Sequence, residues 1–379
     1  MKLIFSLSWL TCLVWGHSFV KDAEICTPSL CKIEDNCRCA STVNPINDPT
    51  NPAPQFIAIT VSESIVADPL YNQYWEPLFF GRTNPDGNPI GASFYVNHEY
   101  TDYRVVQNLY LQGFEIGVHS ITKNSSQEYW RHATLEDLIE EFKGQREIIA
   151  KFANIPIEDI IGARTPQLQI EGDLTIEAYV QSGLTYDNSW PTSTSHPYLP
   201  YTLDYASTQE CLVSIKCPLQ PHEHFWIAPL TNIKGQNGVE CNSLATCLIE
   251  GSPEEIASWL VGEVDRVHNG NRAPIVLRLD SFWFEFIHNS FEGFTLFLDE
   301  MAKRDDVFFI SVGDVIEWIK NPVAAKDYIS PLHNDRQAEC LSSQCRLEFL
   351  DGSERYMSCC TMCPEQYPWK GNPMGEATK

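Results

Sequence analysis

The sequence predicts an α/β protein organised around a parallel sheet, open or closed into a barrel. Three observations carry that prediction. Short apolar runs recur between residues 56 and 320, stretches with helical spacing separate them, and polar residues gather just after the runs. Residues 56–61 and 91–96 are strand-like. Residues 102–112 then place Tyr103, Val106, Leu109 and Tyr110 at helical spacing. Residues 114–119 form a third strand, and residues 134–152 an amphipathic helix whose start, Thr134 with Asp137, resembles a capping box. The alternation continues with strands at 160–163 and 184–187 and a helix near 173–182 between them. It resumes with a strand at 275–279, a helix near 291–303, a strand at 307–310 and a helix near 313–320. Residues 188–272 interrupt it as a long Pro-, Trp- and Cys-rich insertion, expected to be irregular and stapled by disulfides.

The 379 residues are 43% hydrophobic and 12% aromatic, too apolar for a disordered chain. With 26 Lys+Arg against 50 Asp+Glu, the formal charge is -24. That balance excludes a nucleic-acid or anionic-lipid surface, which needs positive potential, and leaves neutral molecules or cations as partners. Lys2 followed by an apolar run over residues 3–16, with small residues at Gly16 and Ser18, has the three-part pattern of a secretory signal peptide over residues 1–18. The run is short for a membrane span. The expected product is secreted and soluble, in an extracellular matrix or a gut lumen. A Cys-rich extension over 19–54, a core over 55–330 and a second Cys-rich extension over 331–379 complete the expected organisation.

Cys12 falls in the leader, leaving thirteen of the fourteen cysteines. They form three clusters: Cys26, Cys31, Cys37 and Cys39; Cys211, Cys217, Cys241 and Cys247; and Cys340, Cys345, Cys359, Cys360 and Cys363. In an oxidising compartment these read as disulfides of unassigned connectivity rather than as a zinc site. The odd thiol is expected at the adjacent pair Cys359 and Cys360. Asn124-Ser125-Ser126 is an N-glycosylation acceptor, which implies a surface position.

Ligands of parallel α/β folds sit at the C-terminal ends of the strands. The polar residues there are Ser62 and Glu63, His119 to Lys123, Arg164 to Pro166, Asp187 to Trp190, and Asp280 to Trp283. Their order, with Gly91-Ala92-Ser93-Phe94-Tyr95-Val96, Glu115-Ile116-Gly117-Val118-His119 and residues 315–322, resembles the polysaccharide deacetylases. The likeness is greatest to short, single-domain arthropod chitin deacetylases and spans roughly residues 26–374. It implies a distorted (β/α) barrel. It also implies a zinc ion held by one Asp and two His, a neighbouring Asp as base on the metal-bound water, and a late His as acid.

The chain departs from that pattern where the chemistry is concentrated. The expected base is Ser62, the metal Asp is Glu63, the second metal His is Lys123, and the late His aligns with Asp280. His119 remains a metal donor, and Arg164 and Asp187, which resemble the groups that orient the base and tune the acid, are retained. Glu63 and His119 still offer lone pairs, whereas a lysine ammonium offers none and repels a cation. No metal cofactor is therefore expected, zinc being held only if a third donor is supplied, for instance from the residues 220s. Ser62 is a poor general base at neutral pH, and base catalysis alone contributes about 10²–10⁴-fold.

A sugar cleft survives such losses, because pyranose rings are held by aromatic faces and hydrogen bonds. Trp190, Pro166 and Trp283 are the expected substrate-binding residues, with Trp226 and Tyr205 near the same mouth; ordinary core packing is the competing reading for each ring. Lys123 and Arg164 facing Glu63 and Asp280 are a candidate ion-pair cluster. His222 and His224 form a weaker candidate metal pair, and His98 is read as structural. The leading expectation is a secreted chitin-binding protein without deacetylase activity, organising or protecting a chitin matrix. The alternatives are a deacetylase with a remodelled metal site and a scaffold for another secreted protein.

Overall fold

The computed structural model describes residues 21–333 and 336–377; the expected leader lies outside them. In chain order the elements are β1 (Gln55–Glu63), α1 (Glu76–Phe79), β2 (Ser93–Asn97), α2 (Tyr103–Leu111), β3 (Glu115–Ser120), α3 (Gln127–His132), α4 (Leu135–Phe152), β4 (Gly162–Ala163), α5 (Asp173–Gln181) and β5 (Tyr186–Asp187). There follow β6 (Pro191–Thr192), β7 (Tyr201–Leu203), β8 (His222–Ile227), β9 (Leu230–Thr231), β10 (Ile233–Lys234), β11 (Glu240–Cys241) and α6 (Pro253–His268). The chain closes with β12 (Ile275–Leu279), α7 (Ser281–Phe286), α8 (Ser290–Met301), β13 (Val307–Phe309), α9 (Val312–Lys320), β14 (Ser343–Glu348) and β15 (Glu354–Cys359).

The main sheet runs β12-β1-β2-β3-β4-β5-β8-β7, and β13 also pairs with the start of β1. All its neighbours are parallel except β7 against β8. Every residue of β1 is buried, as expected of a strand covered on both faces. Helix α4 starts where the capping box predicts, with Thr134 and Asp137 closing it from both sides. Among the described residues no backbone ladder joins the β7 edge to β12. Instead, the Thr231 hydroxyl donates to Pro274 O and accepts from Val276 N, both at 3.0 Å, bridging β9 to the β12 segment. The expected α/β architecture is present; barrel closure is not made by a continuous ladder.

The insertion 188–272 is more ordered than its composition suggests. It contributes β8, which lies beside β5 with Ile227 next to Asp187, and α6, a long helix packed on α8. The helix carries its own start signal: Ser252 caps it, Pro253 stands in its first turn and Glu255 closes a capping box. Ile256, Leu260, Val264 and Val267 then face inward. The Cys-rich reading of the segment obscured that periodicity.

Two glycines shape the interior. A Cβ at Gly162 would meet the Tyr186 ring at 2.1 Å, and one at Gly117 would meet Tyr95 at 2.7 Å. Their absence lets both tyrosines cross the inside of the sheet, where their hydroxyls meet at 3.0 Å.

Six disulfides staple the periphery: Cys26–Cys39, Cys31–Cys37, Cys211–Cys217, Cys241–Cys247, Cys340–Cys360 and Cys345–Cys363. Among the described residues the unpaired thiol is Cys359, buried at the end of the β14–β15 hairpin. The C-terminal extension folds back onto the core, with Tyr367 lying 4.6 Å from the His98 ring. His98 Nδ1 is 2.7 Å from the Tyr103 hydroxyl, and burial pulls its pKa down to about 3, so it is a neutral packing residue. No helix of the described residues is long and apolar enough to cross a membrane.

Candidate functional site

The polar strand ends converge on Arg164, which follows β4 and is completely buried. Its amide continues the ladder to Val118 O at 2.9 Å, which aims the side chain across the sheet. Nε donates to Asn188 O at 2.9 Å, Nη1 to Ser62 Oγ at 2.6 Å, and Nη2 to Thr60 Oγ1 at 2.8 Å and to Asn188 Oδ1. Thr60 and Ser62 can both reach it because alternate strand residues share a face. The guanidinium carbon lies 4.6 Å from the centre of the Tyr95 ring. Burial lowers the Arg164 pKa to about 10, which leaves it a cation at neutral pH.

His119, on β3, points Nδ1 at Arg164 O, 2.8 Å away. With Nδ1 protonated for that bond, Nε2 carries the lone pair. Burial, reinforced by the charge of Lys123, holds the His119 pKa well below its ordinary value, so the ring is neutral. A backbone carbonyl fixing the far nitrogen is the usual support of a ligating histidine.

Glu63, the last residue of β1, reaches over the β12 edge. Its Oε2 accepts from Ser281 N at 3.1 Å and Ser281 Oγ at 2.8 Å. Its Oε1 is buried without a hydrogen bond. Burial raises the Glu63 pKa against the pull of Ser281 and Lys123.

Lys123 sits in the loop after β3, in a left-handed conformation with φ 45°. The loop is pinned from α4: Thr122 donates to the buried Glu141 through its amide at 2.9 Å and its hydroxyl at 2.7 Å. Burial lowers the Lys123 pKa, opposed by the charges of Glu63 and Asp280 and aided by Arg278. These four groups therefore share one electrostatic environment, but among the described residues Lys123 makes no direct ion pair, and Arg164 is held by neutral acceptors. The expected cluster is a set of neighbouring charges rather than paired ones.

Asp280 is half-buried and accepts from Ser243 Oγ at 3.2 Å. Asp187 is fully buried and accepts from Ser189 Oγ at 2.6 Å and Ser189 N at 2.9 Å; burial pushes its pKa up to about 6.

Four expectations need correction. Trp283 is completely buried against Phe284 and Phe294, so it offers no face to a sugar. Trp190 is 3% exposed with its indole N–H donated to Glu210 O at 2.9 Å, and Pro166 is buried. Trp226 is buried on β8 and donates to Asn36 Oδ1. His222 and His224 do not reach the site: β8 parallels β5, so they lie toward its opposite end, facing Asp173 and Asp204. Among the described residues, groups of three potential metal ligands within reach of one another are confined to Cys26, Cys31 and Cys39, all in disulfides.

Sequence reasoning missed Arg278, whose Nε is buried without a hydrogen bond. The signal was available, since a charged residue inside the apolar run Ile275-Val276-Leu277-Arg278-Leu279 is costly unless it serves a site. Asn188 and Ser281 lie within the expected strand-end clusters, but their roles as partners of Arg164 and Glu63 are not readable from spacing. Asn124 is half-buried; its Oδ1 accepts from Ser126 N at 2.9 Å beside Lys123.

The chain is 33% identical over 369 residues to chitin deacetylase 8 of Bombyx mori, covering 93% of this chain and 94% of the relative. It is 29% identical over 377 residues to chitin deacetylase 1 of the same species, covering 93% of this chain and 69% of that one. No family model matches. A family 4 carbohydrate esterase from Streptomyces lividans aligns over 68% of this chain and 92% of its own at TM-score 0.37 and 10% identity. On the strength of the first, near full-length relative, the chain belongs to the polysaccharide deacetylase family, among its chitin deacetylase-like members.

Proposed function

We propose that this is a secreted, glycosylated protein that binds chitin or a related N-acetylglucosamine polysaccharide and does not deacetylate it through this site. The observation that carries the reading is Lys123 beside Glu63 and His119. Two donors, His119 Nε2 and Glu63 Oε1, remain for a divalent cation; among the described residues Asp280 does not come within reach of both to complete a group of three, and the charges of Lys123 and Arg278 share the environment. Zinc is held by three or four N, S or O donors, so this set does not fit it. The position of the base is the Ser62 hydroxyl, which already accepts from Arg164, and the position of the acid is Asp280 rather than an imidazole. Arg164 and Asp187 keep roles in holding the strand ends together. A glycan on Asn124, next to Lys123, would stand at the rim and hinder a polymer from entering.

Chitin enters this reading through the names of the two relatives. The six disulfides suit an oxidising, extracellular setting. The test combines two measurements on one sample: retention on chitin beads, and acetate release from N-acetylglucosamine oligomers with zinc supplied. Retention without acetate is expected. Acetate released at rates normal for an enzyme would establish a working deacetylase, and loss of retention would point to a different partner.

A further inference from the structure

We infer that Phe282 and Phe286 form a stacking platform for a neutral pyranose chain at the rim of the site. The inference rests on the carbohydrate reading above and supplies the aromatic faces that Trp190 and Trp283 do not. Helix α7 starts immediately after β12. Its inward residues Ser281, Trp283 and Phe284 are buried, which leaves Phe282 and Phe286, one helical turn apart, on the outer face. They are 55% and 69% exposed, and their rings stack at 4.1 Å with an interplanar angle of 27°.

A single exposed phenylalanine is ordinary. Two stacked against each other outside the core form an exposed apolar ridge, each ring turning its outer face to solvent where burial in the core would have removed it from water. The platform is also fixed relative to the site, because Ser281, at the start of the same helix, holds the Glu63 carboxylate through its amide and hydroxyl. Phe286 borders an open cavity of about 530 Å³ together with Gln73, Glu285, His288 and Glu292. An apolar face flanked by such hydrogen-bonding groups matches a sugar ring, with its C–H face and equatorial hydroxyls. A second copy of the chain is the less favoured occupant, since each copy carries a formal charge of -24.

The test is titration of the full-length protein with an N-acetylglucosamine hexamer, alongside retention on chitin beads, for wild type and for Phe282→Ala/Phe286→Ala. Circular dichroism controls for folding. At least a tenfold loss of affinity is expected in the double variant, with recovery in Phe282→Trp/Phe286→Trp. A wild type that fails to bind defeats the carbohydrate reading itself. A wild type that binds, with a double variant binding equally well, overturns the platform alone. The platform is likewise overturned if the double substitution changes only the sedimentation of the protein and leaves hexamer binding intact, because the rings then serve self-association.

Discussion

Two buried glutamates mark opposite ends of the sheet and differ in one respect. Glu115, the first residue of β3, has both oxygens paired: Ser93 Oγ at 2.6 Å, the Tyr186 hydroxyl at 2.8 Å and Gly313 N at 3.1 Å. Gly313 leaves room for it, since a Cβ there would meet the carboxylate at 2.7 Å. Glu63, the last residue of β1, is held at Oε2 by Ser281 and left unpaired at Oε1. Burial raises both pKa values. A fully satisfied buried carboxylate belongs to the architecture, whereas one left half unsatisfied in the field of the Lys123 charge belongs to a place shaped for something else. The same contrast runs through the aromatics, with Trp283 locked in the core and Phe282 beside it in water.

The largest expected effect tests the aromatic contrast. Trp283→Ala should cost about 3–5 kcal/mol of unfolding free energy by cavity formation, and Phe282→Ala under about 1 kcal/mol. Comparable losses in denaturant titrations would show that the two rings are not divided between core and surface.

The next breaks the carboxylate contrast directly. Glu115→Ala strands two hydroxyls and an amide, an expected loss of about 3 kcal/mol. Glu63→Gln keeps an acceptor for Ser281 and removes a poorly compensated charge, and should fall within about 1 kcal/mol of wild type. Chemical denaturation of both variants at neutral pH checks the ordering.

A smaller effect sharpens the picture through pH. The Asp187 pKa rises from 3.8 to about 6 on folding. The folded state therefore holds the proton more tightly, so the group's contribution is present below pH 3.8 and lost as pH rises through 6. The stability of wild type relative to Asp187→Asn should thus decline by about 2–3 kcal/mol across that window and stay flat above it. A difference that rises with pH would mean that Asp187 is stabilised as an anion.

Much of this was legible in the chain itself. The succession of strands and helices followed from periodicity, the α4 cap from Thr134 and Asp137, and the unpaired thiol from an odd count beside an adjacent Cys pair. The strand-end rule brought Ser62, His119, Arg164 and Asp187 into one neighbourhood. Less visible was α6, because Cys and Pro nearby suggested irregularity while its cap and spacing said helix. The direction of each aromatic in α7 was also hidden, since a short run of Ser-Phe-Trp-Phe-Glu-Phe does not reveal which turn faces inward. Whether Lys123, Glu63 and Asp280 touch or merely neighbour one another depends on side-chain reach, which spacing does not encode.

The account depends most on the loss of the cation site, and a calorimetric zinc titration addresses it directly. Wild type should show no stoichiometric binding, while Ser62→Asp/Glu63→Asp/Lys123→His/Asp280→His, which rebuilds the donor set, should take up one zinc per chain. One tightly bound zinc in the wild-type protein, lost on His119→Ala, would contradict the account.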